Sequence, residues 1–211
     1  MDEQLGCTVI VVCPSLLQGG VLPAKPKVIT KVLESIYPLH DSVVAIEFKK
    51  RGLYGDLIKR IEEGTKVLEV GCGTGRLLEN LCGKARAVGL DISLKFLKIA
   101  KERLEKCGID LVYGTATNLP FRSNAFDYVI TYTMMHHLTS DEKVQSIKEI
   151  GRVGKVYLFG EVGKELCWSA LLLRLIGSKG LLKRKHIEKA GLKVIEWRDV
   201  GQFCLVHGLA K

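Results

Sequence analysis

The chain has 211 residues, a formal net charge of +9 and an apolar fraction of 47%. That length suits one domain whose core needs neither metal nor disulfide, and the apolar share excludes extended disorder. Seven cysteines are scattered singly, with no C-x-x-C pair and no His/Cys cluster of zinc spacing, so they read as reduced, mostly buried thiols and no metal site is expected.

Residues 1–26 hold a brief apolar run, Thr8 to Cys13, after Asp2 and Glu3, and then Pro14, Gly19-Gly20, Pro23 and Pro26. The acidic flank and the lack of a small-residue cleavage pattern argue against a signal peptide. No run reaches the ~18 apolar residues of a bilayer span, and a cytoplasmic protein is expected. From Val28 to Glu63 the pattern suggests two or three helices, broken near Pro38-Leu39-His40-Asp41 and Gly52. Strand and helix then alternate: strand 66–70, helix 75–82, strand 85–90, helix 93–106, strands 109–113 and 126–132, helix 140–150, strand 155–161, an apolar helix 165–176, helix 182–190, and strands 192–199 and 202–209. Much of the positive charge falls on helices in mixed-sign company, as in Lys98, Lys101, Glu102, Arg103, Glu105 and Lys106, and reads as solvated helix face. Lys183-Arg184-Lys185, with Lys179 and Lys189, is the one tighter basic cluster.

This alternation implies a Rossmann-like, doubly wound α/β sheet, mostly parallel, with helices on both faces. The last two strands meet at Val200-Gly201-Gln202, too short for a crossover helix, so they form a hairpin and the final strand is antiparallel. The expected organisation is one compact unit: residues 1–50 as an N-terminal arm and helices covering an acceptor site, and 51–211 as the cofactor-binding core.

The chemistry concentrates in Val67-Leu-Glu69-Val-Gly71-Cys72-Gly73-Thr-Gly75, where a strand stops on glycines that allow a sharp turn and close ligand approach. The next apolar run, Ala87 to Leu90, ends on Asp91. Together they make the layout of an adenosine-cofactor site at the carboxyl ends of neighbouring parallel strands. The dinucleotide fingerprint would need a third glycine where Arg76 stands. Glu69 beside the loop would repel a pyrophosphate but suit a ligand with cationic groups and no phosphate, which favours S-adenosyl-L-methionine with its sulfonium and ammonium.

Glu69-Val-Gly71-Cys-Gly73-Thr-Gly75, Gly89-Leu-Asp91-Ile-Ser93, Asn118-Leu-Pro120-Phe121 followed by Phe126-Asp127-Tyr-Val129, and Met135-His136-His137-Leu138 come in order over roughly residues 65–160. In these blocks the chain resembles the class I S-adenosylmethionine-dependent methyltransferases, within them the small-molecule branch that includes quinone-ring C-methyltransferases. The resemblance implies a seven-stranded sheet and a cofactor set of Glu69, Gly71, Cys72, Gly73, Asp91, Ile92, Thr115, Ala116 and Thr131. In it Gly71 and Gly73 line the methionine and ribose, Asp91 holds the ribose hydroxyls and Ile92 covers one adenine face. Thr115 and Ala116 border the adenine edge, and Thr131 ends the strand beneath the methionine tail. Two departures stand out. Thr115 replaces the acid that family members often carry there, and a glycine-rich turn before the fifth strand is reduced to Arg152-Val-Gly154-Lys155.

Methyl transfer from a sulfonium is an in-line displacement that asks the protein to bind, align and desolvate two reactants and sometimes to remove a proton. His136 and His137, just past the strand ending near Thr131, are candidates for that proton removal because imidazole titrates near neutrality; packing the loop or capping the next helix is the plainer role. Tyr132 reads as a pocket wall. Thr131-Tyr132-Thr133-Met134 stands where enzymes that methylate base amines carry an Asn/Asp-Pro-Pro-Tyr/Phe tetrapeptide, which argues against such acceptors. The apolar segment Glu165 to Ile176 is either core packing or a greasy cover over an apolar acceptor. The expectation is a methyltransferase acting on a small molecule. An RNA or protein acceptor, or a non-catalytic cofactor-binding partner subunit, is the alternative.

Overall fold

The computed structural model describes residues 34–35, 52–163, 178–200 and 203–210. The N-terminal arm, most of the expected acceptor cover, and the apolar helix at 165–176 lie outside these residues. The elements are α1 (Leu53–Ile58), β1 (Lys66–Val70), α2 (Arg76–Glu79), β2 (Arg86–Asp91), α3 (Leu94–Arg103), β3 (Asp110–Tyr113), β4 (Phe126–Tyr132), a 3-10 turn (Met135–His137), α4 (Ser140–Val153), β5 (Gly154–Val162), α5 (Arg184–Lys189), β6 (Lys193–Val200) and β7 (Phe203–Leu209).

The seven strands form one sheet in the order β3-β2-β1-β4-β5-β7-β6. Strands β1 to β5 pair in parallel, and β7 runs antiparallel to both β5 and β6. The expected hairpin is there: Val200 pairs with Phe203. The order reverses between β1 and β4, so a ligand crevice is expected outside the carboxyl ends of those two strands.

The sheet is buried on both faces, which explains its near-continuous apolar runs. One face packs Leu57, Ile61, Leu77, Leu78, Leu97 and Leu104 against Val67, Ile130 and Leu158. The other packs Ile147, Ile150, Val153 and Ile187 against Leu68, Val70, Val129 and Phe159. Burying each of these aliphatic side chains contributes roughly 1.5–3 kcal/mol before chain entropy is counted.

Helix boundaries differ from the sequence reading where local hydrogen bonding intervenes. α2 stops at Glu79 instead of reaching 82, because Asn80, Leu81 and Lys84 donate to carbonyls three residues back and Gly83 turns with φ 73°. α3 ends at Arg103, its entry capped by Ser93, whose hydroxyl accepts from Phe96 N–H at 3.1 Å. α5 spans only 184–189 of the expected 182–190. α4 runs past 150 to Val153 and passes directly into β5; its start is a capping box, Thr139 accepting from Glu142 N–H and the Glu142 carboxylate from Thr139 N–H. Between Val28 and Glu63 the helix among the described residues of 52–63 is α1.

Two further expectations are corrected. Cys82 and Cys107 are joined as a disulfide with Cα atoms 5.0 Å apart, because the turns after α2 and α3 fold back side by side. Free thiols among the described residues are Cys72 and Cys204, both buried. Arg103 is no solvated helix-face charge: its Nη1 donates to the Thr74 carbonyl at 2.8 Å and to its hydroxyl at 2.9 Å, clamping the glycine loop. Lys183, Arg184 and Lys185 are exposed as expected, with the Arg184 guanidinium 5.6 Å from the Trp197 ring centre.

Candidate functional site

The carboxyl ends of five parallel strands bring four of the expected residues to one edge, Glu69 on β1, Asp91 on β2, Thr115 just past β3 and Thr131 on β4, and add Glu161 on β5. The loop after β1 turns on three left-handed glycines, with φ 77°, 52° and 78° at Gly71, Gly73 and Gly75. Its first amides, Gly71 N–H and Cys72 N–H, both donate to the Leu90 carbonyl, at 2.7 and 3.0 Å, which ties the loop to the tip of β2.

The glycines divide the work. A Cβ on Gly71 would lie 2.4 Å from Met134 Cγ, whereas one on Gly73 would meet nothing within 4 Å. Gly71 therefore makes room for Met134, and Gly73 is where a ligand can approach the backbone. Cys72 turns its side chain into the core, 5% exposed, so only its backbone is available to a cofactor.

Asp91 is held in place from both sides. Oδ2 accepts from Gly73 N–H and Oδ1 from Ser93 N–H, each at 2.8 Å. Each oxygen keeps a lone pair for a ligand hydroxyl. Burial pushes the Asp91 carboxyl up, partly offset by the Ser93, Gly73 and Ile92 amides. Ser93 also donates its hydroxyl to Glu34. Glu69 is 2% exposed; burial foremost and then Asp91 push its carboxyl well above the usual carboxylate range, against a hydrogen bond from the Leu78 backbone. Its Oε2 is buried with no hydrogen-bond partner among the described residues. A buried, unsatisfied carboxylate oxygen is costly, and a cationic ligand beside the loop would relieve it. The residues thus fit a nucleoside bearing positive charge.

The remaining expected residues flank this loop and the two acids. Thr115 and Thr117 hydroxyls lie 3.1 Å apart, so the Thr115 oxygen is engaged in its own turn. Ile92 and Ala116 are half-buried. Thr131 is fully buried and its hydroxyl donates to Glu161 Oε1 at 3.1 Å, with Tyr132 and not Thr131 ending β4. The Tyr132 ring centre is 4.5 Å from that of Tyr54, and burial raises its phenol far above the ordinary range. His136 is 4% exposed and His137 half-buried, their ring centres 3.9 Å apart.

Glu161, Lys143 and Met134 escape the sequence reading. Glu161 is 1% exposed and burial raises its carboxyl to about 7. The fully covered Lys143 donates to the Leu138 carbonyl, its ammonium disfavoured by burial and favoured by Glu161. A usable signal for Glu161 is in the sequence: like Glu69, it is an acid near the end of an otherwise apolar strand.

Residues 67–156 match the family described as "Methyltransferase domain". A demethylmenaquinone methyltransferase of Anoxybacillus flavithermus is 32% identical over 169 residues, covering 75% of this chain and 68% of that protein. The chain belongs to the S-adenosylmethionine-dependent methyltransferases. The demethylmenaquinone methyltransferase of Listeria monocytogenes serotype 4b is 30% identical over 145 residues, and the chain spans 59% of that relative's length. Among solved structures, this methyltransferase chain shares its fold with a SAM-dependent methyltransferase of Thermotoga maritima (TM-score 0.68, 20% identity, 87% of this chain and 100% of that one). It shares it too with geranyl diphosphate C-methyltransferase of Streptomyces coelicolor (TM-score 0.64, 12% identity, 78% and 79%). Among the described residues, no helix is long and apolar enough to cross a membrane.

Proposed function

We propose that the chain transfers a methyl group from S-adenosyl-L-methionine to a small, largely apolar acceptor of the quinol-ring class. The observation that carries this reading is the unpartnered Oε2 of Glu69, buried beside a glycine loop whose Gly73 faces open space. When bound, the cofactor supplies an activated methyl group on a sulfonium. Glu69 faces its cationic portion, Gly73 lets the backbone come close, and Asp91 accepts from the ribose hydroxyls. Ile92 covers the adenine face, while Thr115 and Ala116 border its edge. Thr131 acts from below, through the carboxylate of Glu161. His136 and His137 lie on the acceptor side and take up the proton that a hydroxylated ring releases. The acceptor class follows from the relatives' demethylmenaquinone names and from the apolar segment 165–176 in the sequence.

Titration calorimetry with S-adenosylhomocysteine tests the donor half. Wild type should bind, and Asp91→Ala and Glu69→Gln should each weaken binding at least tenfold, about 1.4 kcal/mol. Unchanged affinity in Asp91→Ala would remove the ribose assignment. NADH binding in place of the methyl donor would overturn the whole reading. For the acceptor half, a short-chain demethylated naphthoquinol should yield a product heavier by one CH2 by mass spectrometry; RNA methylation instead would move the acceptor to another class.

A further inference from the structure

The turn after β4 is gathered by one carboxylate. Glu161 Oε1 accepts from the Thr131 hydroxyl at 3.1 Å, from Met134 N–H at 3.2 Å and from Met135 N–H at 3.1 Å. Those bonds hold a backbone that passes through the left-handed region at a non-glycine, Thr133, with φ 48°. The same turn lays Met134 against Gly71 and carries the two histidines. The second carboxylate oxygen, Oε2, stands 3.8 Å from Nδ1 of His136, and the His136 ring lies against that of His137, tilted by 43°.

We infer that Glu161 is the positioning residue of the acceptor side: it fixes the turn that carries His136 and His137 and supplies the counter-charge that lets this pair hold a single proton, the one given up by the acceptor. The inference rests on the methyl-transfer reading above. Two imidazoles in van der Waals contact cannot both be cationic without strong repulsion, and an imidazolium as buried as His136 needs a nearby anion. In the transfer, an electron pair of the acceptor forms the new bond to the methyl carbon as the bond from that carbon to sulfur breaks, and sulfur leaves as a neutral thioether. The acceptor's proton passes to the imidazole pair and then, through half-buried His137, to water.

The groups around this pair are mixed. Lys143 on α4 interacts with Glu161 and Glu142, and Lys179 gives its backbone N–H to the His136 carbonyl at 2.7 Å. Tyr132 on β4 and the Cys204 thiol on β7 are both pushed up, by burial first and also by Glu161, so neither supplies charge near neutrality. Glu69 acts on Tyr132 from β1. Burial raises the Glu161 carboxyl to about 7, against the Met135, Met134 and Thr131 hydrogen bonds and the Lys143 charge.

Imidazole titration by NMR tests the claim without turnover. In wild type, His136 and His137 should protonate in two separated steps. In Glu161→Gln, which keeps an acceptor oxygen for the turn but loses the charge, the first step should fall by at least one pH unit. The acid limb of kcat should move down with it, with the donor's affinity within twofold. Unchanged imidazole titration in a folded Glu161→Gln protein would overturn the inference. Should that variant not fold, His136→Asn decides: His137 must then titrate in a single, shifted step, and an unaltered His137 curve refutes the coupling. Loss of donor binding or of product by the wild type would sink the methyl-transfer reading instead, and leaves the titration result standing.

Discussion

Gly71→Ala and Gly73→Ala look alike on paper and should behave differently. Both glycines have positive φ, 77° and 52°, so an alanine costs about 1–2 kcal/mol at either from backbone strain alone. At Gly71 the new methyl would also sit 2.4 Å from Met134 Cγ and 2.9 Å from its Cβ, adding about 1–3 kcal/mol of overpacking. Gly71→Ala should therefore cost roughly 2–5 kcal/mol in urea unfolding, or roughly 4–20 °C in Tm for a chain of this size. Gly73→Ala should lose only the backbone part, about 1–2 kcal/mol, yet lose at least tenfold in affinity for S-adenosylhomocysteine, because its methyl projects into the space a ligand needs. Adding Met134→Ala to Gly71→Ala should recover the overpacking part and not the backbone part, a coupling of about 1–3 kcal/mol in the double-mutant cycle. Equal costs at the two glycines, with no coupling to Met134, would refute the division of roles.

The Cys82–Cys107 link closes a sequence separation of 25, so reduction or a double Cys→Ser change should cost about 3.5 kcal/mol in the chain-entropy account; equal urea midpoints with and without reductant would contradict it. Arg152→Ala should destabilise by about 2–4 kcal/mol, because its guanidinium donates to the Phe121 and Leu119 carbonyls at 2.7 and 2.9 Å and pairs with Glu149; urea unfolding reads this. Glu161 has a folded pKa of about 7 against an ordinary 4.5, so its contribution to stability is complete below pH 4.5 and is lost as pH rises through 7. The loss is about 3 kcal/mol, and the pH dependence of stability should be smaller by that amount in Glu161→Gln. Glu69 and Asp91 are likewise raised by burial; a cationic ligand favours their ionised forms, so S-adenosylmethionine should release protons on binding, read as a dependence of the calorimetric heat on the buffer's ionisation enthalpy. No such dependence would mean that these carboxylates stay neutral in the complex.

The strands were legible because a sheet covered on both faces demands uninterrupted apolar runs, and β1 and β4 match to the residue. The helices were less so, since their ends are decided by bonds that periodicity does not carry. Nothing in the spacing of Cys82 and Cys107 announces a pair; they meet because two neighbouring βα units bring the turns after α2 and α3 together. Arg152 shows the same limit. The shortened turn before β5 reads as a remote departure, yet it lets α4 run on so that Arg152 reaches back to the 119–121 segment.

At the site, the loop, Glu69 and Asp91 were legible because each breaks a local rule: glycines where a helix should start, and acids at the ends of apolar strands. Glu161 breaks the same rule at β5 and escaped only because no glycine loop follows it. Its position next to β4 puts a second buried carboxylate across the switch point from the first. On the proposed reading, the unpartnered Glu69 oxygen faces a cation on the donor side, and the Glu161 oxygen 3.8 Å from His136 lies on the acceptor side. Methyl transfer removes the positive charge from the sulfonium and, for a hydroxylated acceptor, delivers a proton nearby. On the proposed reading, Glu69 faces the positive charge before the step and Glu161 the one that appears after it. That order of events, on the same reading, offsets the cost of keeping both acids buried under the strand ends.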